Sequence, residues 1–246
     1  ELFFSPCLYQ FFKLSQNMKL LRNPLHENPA ARTLRADTLP FPVDATARKR
    51  LTSITPNQLS PRYRLIKRML DIMVASVVLL FVLSWLLPLL AVVNVWMGNY
   101  PVFFVQRRVG FEHRIFNCYK LRTIPMDPKR EIGSWSQFLR NKKLDELPQF
   151  INVLKGEMSI VGPRPHMLSD HRNFSKVLGR QYFDRLKVLP GITGLAQVEG
   201  YEGRITTLEK LQGRIRCDLN YINNWSLWLD VCIMAKTLYI PLRRSR

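Results

Sequence analysis

Acidic residues are scarce in this 246-residue chain, which has 18 Asp and Glu against 37 Lys and Arg. The resulting formal charge of +19 predicts an anionic partner, such as nucleic acid, an anionic bilayer surface or a phosphorylated small molecule. Aromatic residues make up 11% of the chain, which is too many for a disordered basic protein. The length allows a sizeable core and favours one domain with appendages.

Cysteine is also rare, with 4 residues in the chain. These cysteines form no CxxC pair and no Cys/His cluster with the spacing of metal ligands, so a zinc site is not expected. Their wide scatter fits a reducing compartment. Internal repeats and low-complexity tracts are lacking, so no repeat architecture is expected.

Residues 1–60 are predicted to form an N-terminal arm that is mostly disordered. Prolines and scattered basic residues interrupt the chain between Asn17 and Arg62, and no apolar period is sustained there. A short helix over Phe11–Arg22 is the one element expected in this arm. We assign the arm no chemistry.

Residues 61–100 contain an almost wholly apolar run, Ile72–Val93. Its length of about 20 residues suits a helix that spans a bilayer. Pro88 lies inside the run and predicts a kink or break there, since proline removes a backbone hydrogen bond. Both flanks are basic, and positive charge marks the cytoplasmic side, so a helix that enters, breaks and returns to one face fits better than a single crossing. A straight single-pass anchor is the simpler alternative.

The rest of the chain, residues 101–246, predicts a mainly helical α+β domain with a small β-hairpin and amphipathic helices. Strands are predicted at Pro101–Gln106 and Ile115–Tyr119 around a turn at Arg107–Gly110, and helices at Trp135–Arg140, Asn173–Leu189 and Thr207–Asn224. Ile124–Ser134, with its prolines and glycine, is predicted to be a loop. The last segment, Tyr221–Tyr239, is rich in Trp and Tyr and fits an interfacial helix or a core helix equally.

Asp145 and Glu146 lie where an amphipathic helix is predicted to begin. The apolar residues that repeat at spacings of three and four are Leu144, Leu147, Ile151 and Leu154. Pro148 is tolerated only in a first turn, which places the helix start near Asp145. A carboxylate there accepts free backbone N–H groups, which holds it ionised and suits it to attack phosphorus or bind a metal. Taken alone, a simple helix cap at Asp145 and a solvated first-turn acid at Glu146 are the simpler explanations and are favoured.

Arg164 is held between Pro163 and Pro165, which stiffen the backbone and keep it out of the helical region. A planar guanidinium on a rigid loop suits phosphate recognition. Taken alone, a surface arginine in a turn is the simpler explanation. The glycines of Pro190–Gly194 predict a structural turn, although they would also let backbone approach a ligand.

The order of these segments resembles the bacterial sugar transferases that act as monotopic polyprenyl-phosphate phosphoglycosyl transferases. The matching segments are Lys67–Asp71, Pro101–Phe104, Gln106–Gly110, Tyr119–Thr123, Leu144–Gln149, Asn152–Gly156, Met158–Pro165, Pro190–Val198, Asp218–Tyr221 and Asn224–Asp230. They follow the family order from about Tyr63 to Arg244, so a chance match is very improbable.

The resemblance implies a re-entrant membrane helix, a cytosolic catalytic face at the bacterial inner membrane and Mg²⁺ as cofactor. The implied reaction transfers a sugar-1-phosphate from a nucleotide diphosphosugar, with a UDP-sugar as the expected donor, to undecaprenyl phosphate. Such a transferase initiates exopolysaccharide, O-antigen, capsule or glycoconjugate synthesis. A homodimer is compatible with this resemblance.

The same resemblance implies a role for each candidate residue. Asp145 would be the nucleophile that forms a covalent phosphosugar intermediate and would also be a metal ligand. Glu146 would assist as a general base or by orienting the site. The implied phosphate- or carboxylate-binding cations are Arg164, Arg140, Lys120 and Arg122.

The chain departs from the family pattern at four places, one of which is the connection from Thr123 to Leu144, shorter than usual and without the customary Asp-Arg segment. The Ser-Pro pair common in the membrane helix is replaced by Ser84-Trp85, with the proline at Pro88. Leu121–Ile124 stands in place of Phe-Arg-Thr-Met, and Glu199–Tyr201 in place of Asn-Gly-Arg. These departures support one alternative, a non-catalytic membrane-bound relative that binds lipid or a partner. A membrane-anchored nucleic-acid binder is supported by charge alone because helix-turn-helix, zinc and RNP-type signatures are lacking, so no nucleic-acid partner is expected.

Overall fold

A computed structural model describes residues 61–127 and 129–243, and the predictions for residues 1–60 lie outside this part of the chain. The described part is mainly helical with two small sheets, which confirms the α+β class. The helices are α1 (Pro61–Val78), α2 (Ser84–Trp96), α3 (Ser134–Asn141), α4 (Gln149–Leu154), α5 (Leu168–Leu178), α6 (Arg180–Asp184), α7 (Leu195–Val198), α8 (Leu208–Asn223) and α9 (Leu227–Arg243). The strands are β1 (Phe103–Val109), β2 (Ile115–Leu121), β3 (Ser159–Val161), β4 (His166–Met167) and β5 (Gly191–Thr193). The predicted division at residues 60 and 100 stays a prediction.

The apolar run lies in one long helix, made of α1, a π-helical turn at Leu79–Leu83, and α2. It is long and apolar enough to cross a membrane by length and composition, and 11% of its most apolar window is buried. The side chains at its middle, such as Leu80 and Phe81, are exposed to 68% and 72%. The surface of this helix is therefore largely apolar and uncovered by the rest of the described chain.

The helix is irregular before Pro88 rather than at it. The π-helical turn ends at Leu83, and Pro88 lies inside α2. Two side chains compensate for the altered backbone pattern, because Ser84 Oγ donates to the Leu80 carbonyl at 2.7 Å and Trp85 Nε1 donates to Phe81 at 3.0 Å. Wide turns of this kind are a recognised cause of helix bending. The irregularity expected at Pro88 thus lies N-terminal to it, where Ser84 and Trp85 donate to backbone carbonyls of the π-helical turn.

The N-terminal part of α1 is fixed to the domain by polar contacts. Lys67 Nζ lies 2.7 Å from Asp230 of α9. Arg68 donates to the carbonyls that end α4, at 2.7 Å for Val153 and 3.0 Å for Leu154. Asp71 accepts from the hydroxyl of Ser159 and the amide of Ile160, both at 3.0 Å. The motif Lys67–Asp71 therefore docks the long helix onto the domain.

The C-terminal part of the same helix is fixed to the domain as well. Leu90 is buried in a cluster with Leu121 of β2 and Leu139 of α3. Asn94 donates through Nδ2 to the backbone carbonyl of Arg122 at 2.9 Å. Both ends of the long helix thus contact one domain.

The predicted β-hairpin is confirmed, but its turn was placed wrongly: Arg107–Val109 belong to β1, and a 3-10 turn at Phe111–His113 connects the strands. β1 pairs antiparallel with β2 from Phe103 opposite Leu121 to Val109 opposite Ile115. β4 adds to the other edge of β1, while β3 and β5 form a separate parallel pair. These short strands were not predicted because they contain too few residues for a periodic pattern.

The helix expected over Asn173–Leu189 is divided in two, so this prediction was wrong in its bounds. Gly179 adopts φ 55° between α5 and α6, a conformation that glycine adopts without steric cost. The predictions for α3 and α8 are confirmed. Thr207 caps α8 by accepting from the amide of Lys210 at 3.2 Å.

The main core lies between these helices and the small sheets. Its fully buried side chains include Tyr182 of α6, Leu211 and Ile215 of α8 and Ile233 of α9. Ala75 of α1 belongs to the same cluster, so the long helix takes part in the core. Burying such apolar surface is the main favourable term in the stability of the domain.

Candidate active site

Asp145 and Glu146 form a 3-10 turn, Leu144–Glu146, instead of the predicted start of a helix. Lys143 precedes the turn with φ 59°, and α4 begins only at Gln149, after Pro148. The expected helix-capping bond of Asp145 is absent: among the described residues no group donates to its carboxylate. The prediction was wrong because Pro148 stands directly before α4 and leaves the two acids in a separate turn.

The environment of Asp145 raises its pKa, whereas a helix cap was expected to keep the group ionised. Asp145 is 9% exposed. Burial, followed by the adjacent charge of Glu146, raises the pKa of Asp145, while Lys120, Arg164 and Lys143 oppose this rise. The result is a buried carboxyl group with no hydrogen-bond donor on it, surrounded by cations that stabilise its ionised form in part.

Glu146 is the centre of the site's ion pairs. Lys120 Nζ lies 2.7 Å from its Oε1, and Arg164 Nη1 donates to its Oε2 at 3.0 Å while Nη2 donates to Oε1. Burial alone would raise the pKa of Glu146, but Arg164 and Lys120 outweigh it and hold this pKa well below the ordinary range. The carboxylate is therefore ionised and fully occupied by two cations.

Lys120 reaches Glu146 because the hairpin is fixed against α4. Asn152 of α4 is completely buried, and its amide accepts from the Tyr119 N–H at 3.1 Å and donates to the Asn117 carbonyl at 2.7 Å. The Asn152 side chain thus makes the backbone hydrogen bonds that a neighbouring strand would otherwise make with β2. Burial lowers the pKa of Lys120, and the charge of Glu146 opposes that change.

The loop that carries Arg164 is held through its carbonyl groups. The Pro163 carbonyl accepts from the Gly191 amide at 3.0 Å. The Arg164 carbonyl accepts from Arg185 Nη2 at 2.6 Å, and the Pro165 carbonyl accepts from Arg108 Nη1 at 2.6 Å. Since prolines on both sides have no N–H, carbonyl acceptors are the main anchors available to this loop.

Glycines allow β3 and β5 to approach each other beside this loop. A Cβ on Gly191 would lie 2.1 Å from the amide nitrogen of Gly162, and a Cβ on Gly194 would lie 2.2 Å from the Gly162 carbonyl oxygen. The glycines of Pro190–Gly194 therefore have the structural role that was predicted as the default. They fix the base of the Arg164 loop.

The structure brings three of the predicted residues together around Asp145, namely Glu146, Lys120 and Arg164. The other two predicted cations make different contacts. Arg122 donates through Nε to the Pro101 carbonyl at 2.8 Å, and Arg140 is exposed at the end of α3, with no ion pair among the described residues. Their assignment to phosphate binding stays a prediction.

Sequence reasoning missed a buried polar network behind Arg164. Arg185 is paired with Asp218 of α8, its Nε donating to Oδ2 at 2.9 Å. Arg108, on β1, holds the loop from the other side. Arg108 and Asp218 lie in segments that match the family, but nothing in their spacing indicates which backbone groups they contact, and Arg185 lies outside those segments.

The family departure at Glu199–Tyr201 is fixed to α8 and lies outside the ion pairs of the site. Tyr201 packs its ring against α8, where a Cβ on Gly213 would lie 2.1 Å from a ring carbon. Arg214 holds the same segment by donating to the Tyr201 carbonyl at 2.8 Å. Glu202 lies 3.1 Å from Lys143, the residue that precedes the acidic turn. This segment is therefore linked to the acidic turn through the ion pair of Glu202 with Lys143.

A metal site can be tested against these residues. Among the described ranges no group of three or more His, Cys, Asp or Glu side chains could hold an ion. Mg²⁺ is commonly bound by one or two carboxylates together with substrate phosphates, so a larger protein cluster is not required. The carboxylate of Asp145, which accepts no hydrogen bond among the described residues, fits that role.

The pattern of the bacterial sugar transferase family matches residues 62–244. The UDP-glucose:undecaprenyl-phosphate glucose-1-phosphate transferase of Escherichia coli (strain K12) is 39% identical over 189 residues, which are 72% of this chain and 40% of that protein. A protein of the same name from Caulobacter vibrioides is 37% identical over 210 residues, 80% of this chain and 78% of that protein.

A relative with a different sugar in its name is similar to a comparable extent. The UDP-N-acetylgalactosamine-undecaprenyl-phosphate N-acetylgalactosaminephosphotransferase of Aeromonas hydrophila is 37% identical over 212 residues, 78% of this chain and 48% of that protein. The chain thus spans less than half the length of the E. coli and A. hydrophila proteins. The match across most of the described residues shows that this chain belongs to the bacterial sugar transferase family.

Proposed function

We propose that this protein is a phosphoglycosyl transferase that moves a sugar-1-phosphate from a UDP-sugar to undecaprenyl phosphate. One observation carries the proposal: a buried Asp145 carboxylate without a hydrogen-bond donor lies beside two cations, Lys120 and Arg164, that share Glu146. The names of the relatives agree, since they combine a UDP-sugar donor with undecaprenyl phosphate.

In the proposed reaction an Asp145 oxygen attacks the β-phosphorus of the donor, the phosphorus that carries the sugar. A phosphorus–oxygen bond to Asp145 forms, the bond to the bridging oxygen breaks, and UMP leaves with that electron pair. A phosphate oxygen of undecaprenyl phosphate then attacks the same phosphorus. The bond to Asp145 breaks, the carboxylate is regenerated, and the sugar remains on a lipid diphosphate.

Lys120 and Arg164 would stabilise the charge that spreads over the phosphoryl oxygens. Positioned cations in a site shielded from water are the main contribution a protein makes to phosphoryl transfer. The donor brings a diphosphate, whose charges can share the cations now held by Glu146. This explains why Glu146 already holds Lys120 and Arg164 in place, while neither cation pairs with another acid among the described residues.

Of the two roles predicted for Glu146, orientation is the better supported. Its two carboxylate oxygens are occupied by Lys120 and Arg164, and its pKa lies well below the ordinary range. A general base works best when its pKa lies near the operating pH. We infer that Glu146 sets the positions of the cations and, through its charge, keeps Asp145 from pairing with them.

Mg²⁺ is proposed as the cofactor, with Asp145 as its protein ligand. The ion would neutralise charge on the donor diphosphate and polarise its phosphoryl oxygens. The protein supplies the carboxylate of Asp145, while Lys143, in the turn before it, carries a further positive charge. Glu146 remains committed to its ion pairs and is not proposed as a ligand.

The membrane helix is proposed to be re-entrant, with the domain on the cytoplasmic face of the inner membrane. Asp71 and Asn94 would lie roughly 35 Å apart along a straight helix at about 1.5 Å per residue, which exceeds a hydrocarbon core of about 30 Å. A single crossing would place these residues on opposite sides of the membrane. Both contact the same domain, which supports entry and return on one face.

Further apolar side chains outside the helix fit an interfacial position. Ile151 and Leu154 of α4 are 36% and 41% exposed, next to the exposed apolar face of α1. Trp228 and Tyr239 of α9 are 39% and 60% exposed. Amphipathic rings of this kind are favoured at the level of lipid headgroups. A homodimer stays a prediction, since these exposed side chains fit lipid equally well.

The activity is tested by incubating the purified protein with Mg²⁺, undecaprenyl phosphate and a panel of UDP-sugars, and by measuring the release of UMP. Asp145→Asn should abolish turnover, whereas the matched change at exposed Asp127, Asp127→Asn, should leave it near the parent rate. If no donor supports UMP release, or if Asp145→Asn equals the parent, the proposed function is wrong. A non-catalytic relative would still bind membranes.

The topology is tested with single cysteines introduced at Arg64 and at Tyr100, which is 72% exposed, in a variant without the natural cysteines. Membrane-impermeant thiol reagents should label both positions from the cytoplasmic side of inverted vesicles. Labelling from opposite sides would reject the re-entrant helix.

A further inference from the structure

Arg185 is a buried arginine that contacts the Arg164 loop without touching either acid of the site. It is 2% exposed and lies in a 3-10 turn, Arg185–Lys187, that follows α6. Its Nη2 donates to the Arg164 carbonyl at 2.6 Å. The guanidinium of Arg164 meanwhile extends to Glu146. Arg185 therefore holds the backbone of a residue whose side chain belongs to the site.

Two neighbours fix the direction of the Arg185 guanidinium. Asp218 accepts from its Nε at 2.9 Å, and His166 Nδ1 lies 3.1 Å from its Nη1. A guanidinium can only donate, so Nδ1 must be an acceptor and His166 is neutral. Burial, followed by the charge of Arg185, lowers the pKa of His166 well below the ordinary range, in agreement with this assignment. Each nitrogen of the guanidinium thus has a defined partner.

The Arg164 loop depends on such outside contacts. Pro163 and Pro165 cannot donate, so the loop offers mainly carbonyl groups for anchoring. Arg164 must also reach Glu146 with two nitrogens at once, which requires a defined backbone position. A small displacement of the loop would break this two-point contact, because a planar guanidinium tolerates little change in approach.

We propose that Arg185, held by Asp218, is a positioning residue that sets Arg164 against Glu146 for the transfer reaction. This inference rests on the proposed function, and it assigns a role to a pair of residues that do not contact the reacting groups. Its competitor is a purely structural role, in which Arg185 stabilises the core but its loss affects the site only through unfolding.

A double-mutant cycle with Arg185→Lys and Arg164→Lys separates these roles. Lysine at position 185 keeps the charge beside Asp218 but cannot make the three contacts of the guanidinium. Lysine at position 164 keeps a cation near Glu146 on a flexible stem, so its position depends less on the loop. Turnover is measured as UMP release, and folding as the thermal unfolding midpoint of the same samples.

A positioning role predicts a large effect in one background and a small one in the other. Arg185→Lys should lower turnover by roughly 100-fold in the parent, the scale of a displacement of about 1 Å in a site. In the Arg164→Lys background it should lower turnover by less than about threefold, because effects that act through one residue are not additive. Asp218→Asn should show the same pattern and serves if Arg185→Lys does not fold.

Arg68→Met is the matched control, since Arg68 also donates to backbone carbonyls but lies at the end of α4. It should lower the thermal midpoint and change turnover by the same factor in both backgrounds. Equal factors for Arg185→Lys in both backgrounds would overturn the positioning role. If the parent releases no UMP, the proposed function fails, and the coupling is then measured on the midpoints. Additive shifts of the midpoints would show that Arg185 does not hold the Arg164 loop in place.

Discussion

Glu146→Gln tests the electrostatic organisation of the site most sharply. The substitution keeps the shape of the side chain and removes the charge that pairs with Lys120 and Arg164. Both cations are largely buried, with 13% and 18% of their side chains exposed. Removing one partner of a buried ion pair costs roughly 3–5 kcal/mol, and we expect about 3 kcal/mol because Gln still accepts a hydrogen bond.

This loss corresponds to a fall in the thermal midpoint of roughly 6–12 °C for a domain of this size. It should also depend on pH. The pKa of Glu146 is lowered in the folded protein, so its stabilisation is fully present above the ordinary pKa of a carboxyl group and is lost as the pH falls from that value toward the lower pKa of the folded state. The difference in midpoint between the parent and Glu146→Gln should therefore stay nearly constant from about pH 7 to about pH 5 and shrink below about pH 4.

Thermal unfolding of the purified protein in one detergent, across this pH range, provides the measurement. The matched control is Glu131→Gln, since Glu131 is exposed and has no ion pair among the described residues. This control should shift the midpoint by less than about 2 °C. A Glu146→Gln variant as stable as the parent near neutral pH, or a difference that already disappears between about pH 7 and about pH 5, would refute the reasoning.

Three further substitutions, one of them with a matched control, test other parts of the structure. Gly191→Ala should prevent β5 from approaching Gly162, because the added Cβ would lie 2.1 Å from its amide nitrogen, and soluble yield and thermal midpoint should both fall. Asp71→Ala should leave the buried Ile160 amide of β3 without an acceptor, whereas the Ser159 hydroxyl can still donate to the Val161 carbonyl, and should cost roughly 1–3 kcal/mol, measured by chemical denaturation. Lys120→Met should lower UMP release by roughly 100-fold or more, whereas exposed Arg140→Gln should lower it by less than about tenfold. Equal losses for these two cations would contradict the site described above.

The local elements were predictable where a short pattern decides the structure. The hairpin follows from β-branched and aromatic residues around Arg107–Gly110, and α8 begins after Thr207, a residue whose side chain caps a helix. α4 shows the limit of such patterns. Ile151 and Leu154 share a face as predicted, but that face is exposed and the buried face carries Asn152. Periodicity identifies residues on one face and does not say what covers it.

The candidate site was predictable in its residues and not in its arrangement. The resemblance pointed to Glu146, Lys120 and Arg164, which the structure brings together. It pointed equally to Arg122 and Arg140, which make no contact with Glu146. Contacts between distant segments depend on how the whole domain packs. The residues next to each cation in the chain therefore could not show which cations pair with Glu146.

The supporting contacts were the least predictable. Arg185 lies between Asp184 and Leu186 in a stretch expected to be a plain helix, and its partners are backbone or buried groups of other elements. The environment of Asp145 was also predicted with the wrong sign. Its carboxyl group was expected to be ionised by a helix terminus, whereas burial and Glu146 raise its pKa.

The central claim is that Asp145 carries the sugar phosphate during transfer. Intact-protein mass spectrometry after incubation with Mg²⁺ and the active UDP-sugar, without lipid acceptor, should show one added sugar phosphate, and peptide mapping should place it on Asp145. Addition of undecaprenyl phosphate should remove the adduct, and Asp145→Asn should never acquire it. Turnover without any adduct, or an adduct on another residue, would contradict the account.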